Sequence, residues 1–232
     1  MEMFLLPSKV EYIDTDQENV SKIVIEPCYF GYGTTIGNSL RRVLLSSLPG
    51  AAVTAVKIEG VEHEFSAKEG MKEDVLEVLL NLKRLRLKVF SDEPVKLHLK
   101  AKGKTIVTAK NIDKNSEVEI VNPDLVIANL TDSKSELNME IIVNKGRGYL
   151  PKEEKDLEKE DVNMMVVDSI YSPVLNVGYK VEDLRVGQIT DYDKLTLTVE
   201  TDGTISPREA VEQATKILMD YLRPLASAED AE

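Results

Sequence analysis

The sequence predicts a mixed α/β chain of the α+β kind, on three observations. Helical periodicity is confined to residues 31–50, 72–81 and 206–225. Alternating or β-branched runs fill most of the chain between them. No regular succession of strand and helix follows the first helix, as a doubly wound parallel sheet would require.

Taken in order, Ser21 to Ile25 is a β-branched strand ending at Glu26-Pro27. A glycine-rich turn then opens a helix of three to four turns, with Thr34 or Thr35 as N-cap and Pro49-Gly50 as its stop. Spacing of about 100° per residue gathers Ile36, Leu40, Val43, Leu44 and Leu48 on one apolar sector. The opposite side carries Asn38, Arg41 and Arg42, with Leu45 between the arginines. Two readings stand for that side: a docking surface with an apolar centre and guanidinium donors, or one exposed leucine among solvated arginines.

Val53 to Ile58 reads as a strand with Val56 and Ile58 on one face and Val53, Ala55 and Lys57 on the other. The 72–81 helix presents Val75, Leu76, Leu79 and Leu80 inward and Glu77 outward, with Glu73 and Asp74 favouring its N-terminal dipole. Residues 85–89 and 95–101 alternate strictly and predict a hairpin. Its outer face would carry Arg86, Lys88, Lys96, His98 and Lys100, as an edge-protecting or an anion-binding patch. Strand-like pieces at 105–109, 118–121 and 126–130 suggest a β meander, and Leu137, Met139, Ile141 and Val143 a longer strand.

The charged stretch 152–161 reads as a mobile loop. Short strands follow at 164–167, 174–181 and 195–199, then an Asp202-Gly203 turn. Ser206-Pro207-Arg208-Glu209 is a capping box with proline at the first helical position. Val211, Ala214, Ile217, Leu218, Tyr221, Leu222 and Leu225 then form a seam suited to its own sheet or to helix pairing. After Pro224 the tail should be disordered.

Composition narrows the chemistry. A chain of 232 residues should bury roughly 70% of its unfolded surface without staples. The lone Cys28 rules out an internal disulfide and, with only His63 and His98, leaves no plausible zinc set, so a reducing cytosol suits it. A net charge of −12 argues against a general nucleic-acid binder. No signal peptide or membrane span is legible. The order strand, glycine turn, helix, strand invites a dinucleotide-binding reading. However, Gly31, Gly33 and Gly37 are spaced one residue longer than that fingerprint, and Cys28, Tyr29 and Phe30 delay the turn. No nucleophile, acid–base pair or metal set appears; His63 reads as a turn residue. Neither catalytic residues nor cofactors are expected.

Several ordered blocks nevertheless point to one family: Glu26-Pro27, GYGTTIGNSLRRVLLSS at 31–47, PGAAVT at 49–54, GVEHEFS at 60–66, KEG at 68–70, Glu73-Asp74, LLNLK at 79–83, GRGY at 146–149 and YSPV at 171–174. Through them the chain closely resembles the alpha subunits of bacterial DNA-directed RNA polymerase, in their N-terminal assembly domain. The resemblance runs nearly end to end. It implies a dimerisation domain made from 1–49 and 174–232, with two main helices on a sheet, and a mostly β domain inserted at 50–173. It also implies a cytoplasmic, non-catalytic homodimer that nucleates assembly with the beta and beta prime subunits, which perform nucleotidyl transfer.

By position, beta contacts would fall on Arg42, Leu45 and Glu77, and beta prime contacts on Lys83, Val167, Val174 and Lys194. The dimer interface would use Ile36, Leu40, Val43, Leu44, Val211, Ala214, Leu218, Tyr221 and Leu222. Nothing resembles the family's C-terminal DNA-binding domain, so no direct DNA contact is expected of this chain, nor any membrane contact. The alternative is a dinucleotide-binding enzyme using the turn at Gly31 to Gly37.

Overall fold

The computed structural model describes residues 5–155, 163–186 and 189–226. In chain order its elements are β1 (Lys9–Asp14), β2 (Val20–Cys28), α1 (Tyr32–Ser46), β3 (Pro49–Ile58), α2 (Val75–Leu82), β4 (Leu87–Val89), β5 (Val95–Lys102), β6 (Ile106–Thr108) and β7 (Val118–Ile120). Then follow β8 (Val126–Asn129), β9 (Glu136–Arg147), β10 (Tyr149–Leu150), β11 (Met165–Val166), β12 (Ser169–Ile170), β13 (Val174–Val186), β14 (Ile189–Thr201) and α3 (Pro207–Ala226). The α+β class is as the sequence predicts. The chain divides into two units, Met1–Leu48 with Ser172–Glu232, and Pro49–Tyr171.

The first unit is an antiparallel sheet in the order β1-β2-β14-β13, with α1 and α3 packed on it and on each other. Alternation along β14 buries Asp193, Leu195, Leu197 and Val199 on the helix side. There they meet Ile23, Leu40, Leu44, Leu48, Ala210, Val211 and Ala214. β2 continues through Glu26-Pro27 to Cys28 instead of ending at the proline. β13 and β14 are each thirteen residues long, more than their apolar segments suggest, because they pair with one another along almost their whole length.

Neither threonine caps α1. Gly31 does, at a φ of 80° that L side chains rarely adopt, and this turn places the helix start at Tyr32. Thr35 lies inside the first turn and donates its hydroxyl to Gly31 O at 3.2 Å. The capping box of α3 forms as read: Glu209 N–H donates to Ser206 Oγ at 3.2 Å, and Ser206 N–H to Glu209 Oε2 at 3.1 Å. The helix runs past Pro224 to Ala226, although proline there has no N–H to donate to the carbonyl four residues earlier. The expected disordered tail lies, from 227 on, outside the described residues.

The second unit is built on the sheet β11-β3-β9-β5, with the pairs β4-β7, β6-β8 and β10-β12. Two sequence expectations fail here for one reason. β5 does not form a hairpin with β4, because β9 offers it an eight-residue ladder that sets Leu97, Leu99 and Ala101 opposite Ile141, Met139 and Leu137. β4 pairs with β7 and β6 with β8, so the middle region is interleaved instead of a meander. The basic outer face is therefore divided. On β5, Lys102 pairs with Glu136 of β9 at 2.9 Å, and His98 stands opposite Glu140.

A bulge corrects a third expectation. Val53 pairs with Val143 and Ala55 with Ile142, so Thr54 is the extra residue. It brings Val53 onto the same face as Val56 and Ile58, within the core. In α2 the helix begins at Val75, capped by Asp74, and it buries Val75, Val78, Leu79 and Leu82. Leu76 and Leu80, expected inside, are exposed. Glu73, just before the Asp74 cap, accepts from Asn129 N–H at 2.7 Å and from the Asn129 side chain at 2.5 Å.

Candidate functional site

α1 has one face committed to its own sheet. Gly33, Gly37, Leu40 and Leu44 are buried there, and a Cβ on Gly37 would come within 2.8 Å of Tyr179 Cδ2 and 3.0 Å of Leu195 Cδ1. The helix N-terminus is occupied from within, since Gly33 N–H donates to the buried Asp193 Oδ2 at 3.0 Å. That carboxylate sits where an anion-binding helix would receive phosphate. Moreover, β2 and β3 lie in different sheets, so strand, helix and strand make no βαβ unit. The dinucleotide reading loses its geometry.

The other face of α1 is open. Asn38, Arg41, Arg42 and Leu45 are exposed, and neither guanidinium has an ion pair among the described residues. Unpaired planar donors around an aliphatic side chain can desolvate and orient a partner carboxylate.

The residues expected at a dimer contact divide into two groups. Leu40, Leu44, Val211 and Ala214 are buried in the unit's own core, and Ile36, Val43 and Leu218 pack against it half-buried. Tyr221 and Leu222 stand free at 78% and 59% exposure. Met219 and Leu225, at 58% and 77%, extend the same apolar half of α3. Leu225 belonged to the sequence seam; Met219 did not.

In the second unit Glu77 is exposed on α2, its N–H bound by Asp74 Oδ1 at 2.7 Å. Lys83 Nζ lies 2.6 Å from Asp168 Oδ2. This contact, with the Lys152 N–H donating to Asp168 Oδ1 at 2.9 Å, holds the Asp168 carboxyl below the usual range. Lys152 Nζ reaches Glu64 Oε1 at 3.0 Å. Between these pairs opens a cavity of about 300 Å³ lined by Phe65, Leu76, Leu80 and Val166. Sequence reading missed it by one helical position. The available signal was that six of the eight α2 residues are apolar, more than one buried stripe needs.

The remaining expected positions differ in access. Val167 and Val174 are buried at 2% and 4% exposure, so their side chains face their own units. Lys194 lies half-exposed, 3.4 Å from Glu26 Oε2. Glu26 also binds Lys9 at 3.2 Å, and that hydrogen bond lowers its carboxyl pKa. His63 shares Nδ1 with Ser66 Oγ at 3.1 Å, as befits a turn histidine. Burial raises the Cys28 thiol. Among the described residues no cluster of three His, Cys, Asp or Glu is placed for a metal ion, and no helix is long and apolar enough to cross a membrane.

Comparison with known proteins adds a second kind of finding. A family model described as the RNA polymerase Rpb3/RpoA insert domain matches residues 56–172. A protein of Carboxydothermus hydrogenoformans named DNA-directed RNA polymerase subunit alpha is 53% identical over 213 residues, covering 91% of this chain and 68% of the relative. Proteins of the same name from Alkaliphilus oremlandii and Oceanobacillus iheyensis are 50% and 49% identical over 215 residues, each covering 92% of this chain and 68% of the relative.

Proposed function

The chain belongs to the DNA-directed RNA polymerase alpha-subunit family, and from that premise we propose that it is a non-catalytic, cytoplasmic scaffold for bacterial polymerase assembly. Two copies associate through the unit made of both chain ends. The dimer then binds beta, and afterwards beta prime, whose catalytic apparatus performs nucleotidyl transfer.

The observation that carries the reading is the open face of α1. Leu45 lies exposed beside Arg41 and Arg42, and these guanidiniums have no ion pair among the described residues. We assign beta to Arg42 and Leu45, with Glu77 as its contact on α2. For beta prime we retain Lys83 and Lys194 as side-chain contacts. At Val167 and Val174, which are buried, contact would come from the surrounding backbone and neighbours. In the dimer, Tyr221, Leu222 and Leu218 reach the second copy, while Leu40, Leu44, Val211 and Ala214 hold the helices in place and Ile36 and Val43 line the margin.

The test is co-purification with a beta subunit. Leu45→Asp should abolish retention without altering the elution volume of the free dimer, because it places a charge in a desolvated contact. Arg42→Ala should weaken retention through loss of a charge-assisted bond. Full retention by both variants would remove this face from the interface.

A further inference from the structure

The bulge in β3 leaves an irregular seam beside β11. Pairing between the strands covers only Met165↔Val56 and Val166↔Ala55. Beyond it, Val167 N–H donates to Thr54 O at 2.9 Å, and the fully buried Ser169 donates its hydroxyl to Val53 O at 2.7 Å. Lys155 enters this seam from outside both strands. Its Nζ donates to Thr54 O at 3.3 Å, to Ser169 Oγ at 2.7 Å and to Val167 O. Three ammonium hydrogens thus meet three acceptors at the place where the regular ladder stops.

Lys155 closes a short strap. β10 pairs with β12 through Tyr149↔Ile170 and Leu150↔Ser169, and Pro151 leads into a single 3₁₀ turn at Lys152–Glu154. The strap is fastened at one end by Lys152, whose N–H binds Asp168 and whose Nζ binds Glu64. Lys155 fastens the other. Both anchors bear on Asp168 and its neighbours, and Asp168 in turn holds Lys83.

We propose that Lys155 is a positioning residue: by seating the 151–155 strap in the β3 bulge it keeps the Lys152–Asp168–Lys83 chain of contacts assembled, and with it the surface around Lys83. The bearing on assembly rests on the assignment of Lys83 to beta prime. The positioning itself does not. The arrangement has a cost that suits a latch, since half-burial of the ammonium brings the Lys155 pKa down to about 8. Without Lys155, Val167 O loses the ammonium donor, and among the described residues the strap keeps the contacts of Lys152 to Asp168 and Glu64.

The experiment uses the full chain, with the Asp168 carboxyl carbon followed by NMR through an acid titration. In Lys155→Met the Asp168 midpoint should rise toward the ordinary carboxylate value, and the Val167 amide, which donates to Thr54 O in this seam, should exchange about tenfold faster as the seam opens locally. Amides of β13 and β14 should be unchanged, and Lys155→Arg should restore most of both signals. An unmoved Asp168 midpoint in Lys155→Met overturns the proposal, as does an equal loosening of every strand. If that variant does not fold, Lys155→Gln is read by the same criteria.

A second arm measures capture of beta prime by the alpha–beta complex. Lys155→Met should reduce it about fivefold or more, a normal size for coupling between a support and a site. Unchanged capture alongside a shifted Asp168 overturns the control of docking. Failure of the wild-type chain to capture beta prime counts against the assembly reading, and the Asp168 titration then still decides the latch.

Discussion

Gly37 faces Tyr179 and Leu195 so closely that a single methyl group would intrude on both. Two effects oppose each other on Gly37→Ala. Alanine favours the helix by about 1 kcal/mol, whereas overpacking a well-filled contact costs about 1–3 kcal/mol. Leu195 is fully buried and has little room to withdraw, so we expect a net loss of up to about 2 kcal/mol, read as a lower urea midpoint with unchanged slope. A more stable variant would mean that the Tyr179 ring swings aside. The sequence showed the glycine and its place on the apolar sector, but not the ring that requires it. Tyr179 is 142 residues away along the chain, and only the β13–α1 packing brings the two together.

α3 and α2 show how far helical periodicity reaches. In α3 the capping box and stripe were legible because both depend on neighbours within a turn or two. Which part of the stripe is covered depends on how far the helix packs on the sheet and on α1. Ala210, Val211 and Ala214 are buried in the unit's core, whereas Met219, Tyr221, Leu222 and Leu225 are exposed. Leu222→Asp should therefore leave the single-chain fold within about 0.5 kcal/mol, as exposed substitutions do. It should convert the proposed dimer to monomer in analytical ultracentrifugation. Persistence of the dimer at micromolar concentration would place the self-contact elsewhere. In α2 the period was right and the phase wrong by one residue. Six apolar residues in eight fit more than one buried stripe, so the wheel alone could not choose between them.

Each unit keeps its own apolar core. The core around Val56, Leu99 and Ile141 draws only on residues between Pro49 and Tyr171, and that around Ile23, Leu44 and Leu197 only on the two chain ends. A fragment spanning 49–171, about 120 residues and so of ordinary domain size, is expected to fold alone. It should give dispersed amide resonances and one cooperative thermal transition. A fragment that melts without cooperativity would show that the second unit depends on the first.

Composition, capping residues and ordered motif blocks were enough for the fold class, the three helices and the family resemblance. These properties are local or additive along the chain, and each can be read within a few turns or strands of the residues that cause it. Strand partners, the bulge at Thr54, the exposure of Leu76 and Leu80, and the meeting of Lys155 with Thr54, Val167 and Ser169 are of another kind. They arise from competition between alternative long-range pairings, in which the eight-residue register of β5 on β9 outweighs a local hairpin. That competition is resolved only when the whole sheet forms, which is why the Lys83 surface and its supporting lysine emerge from the packed chain.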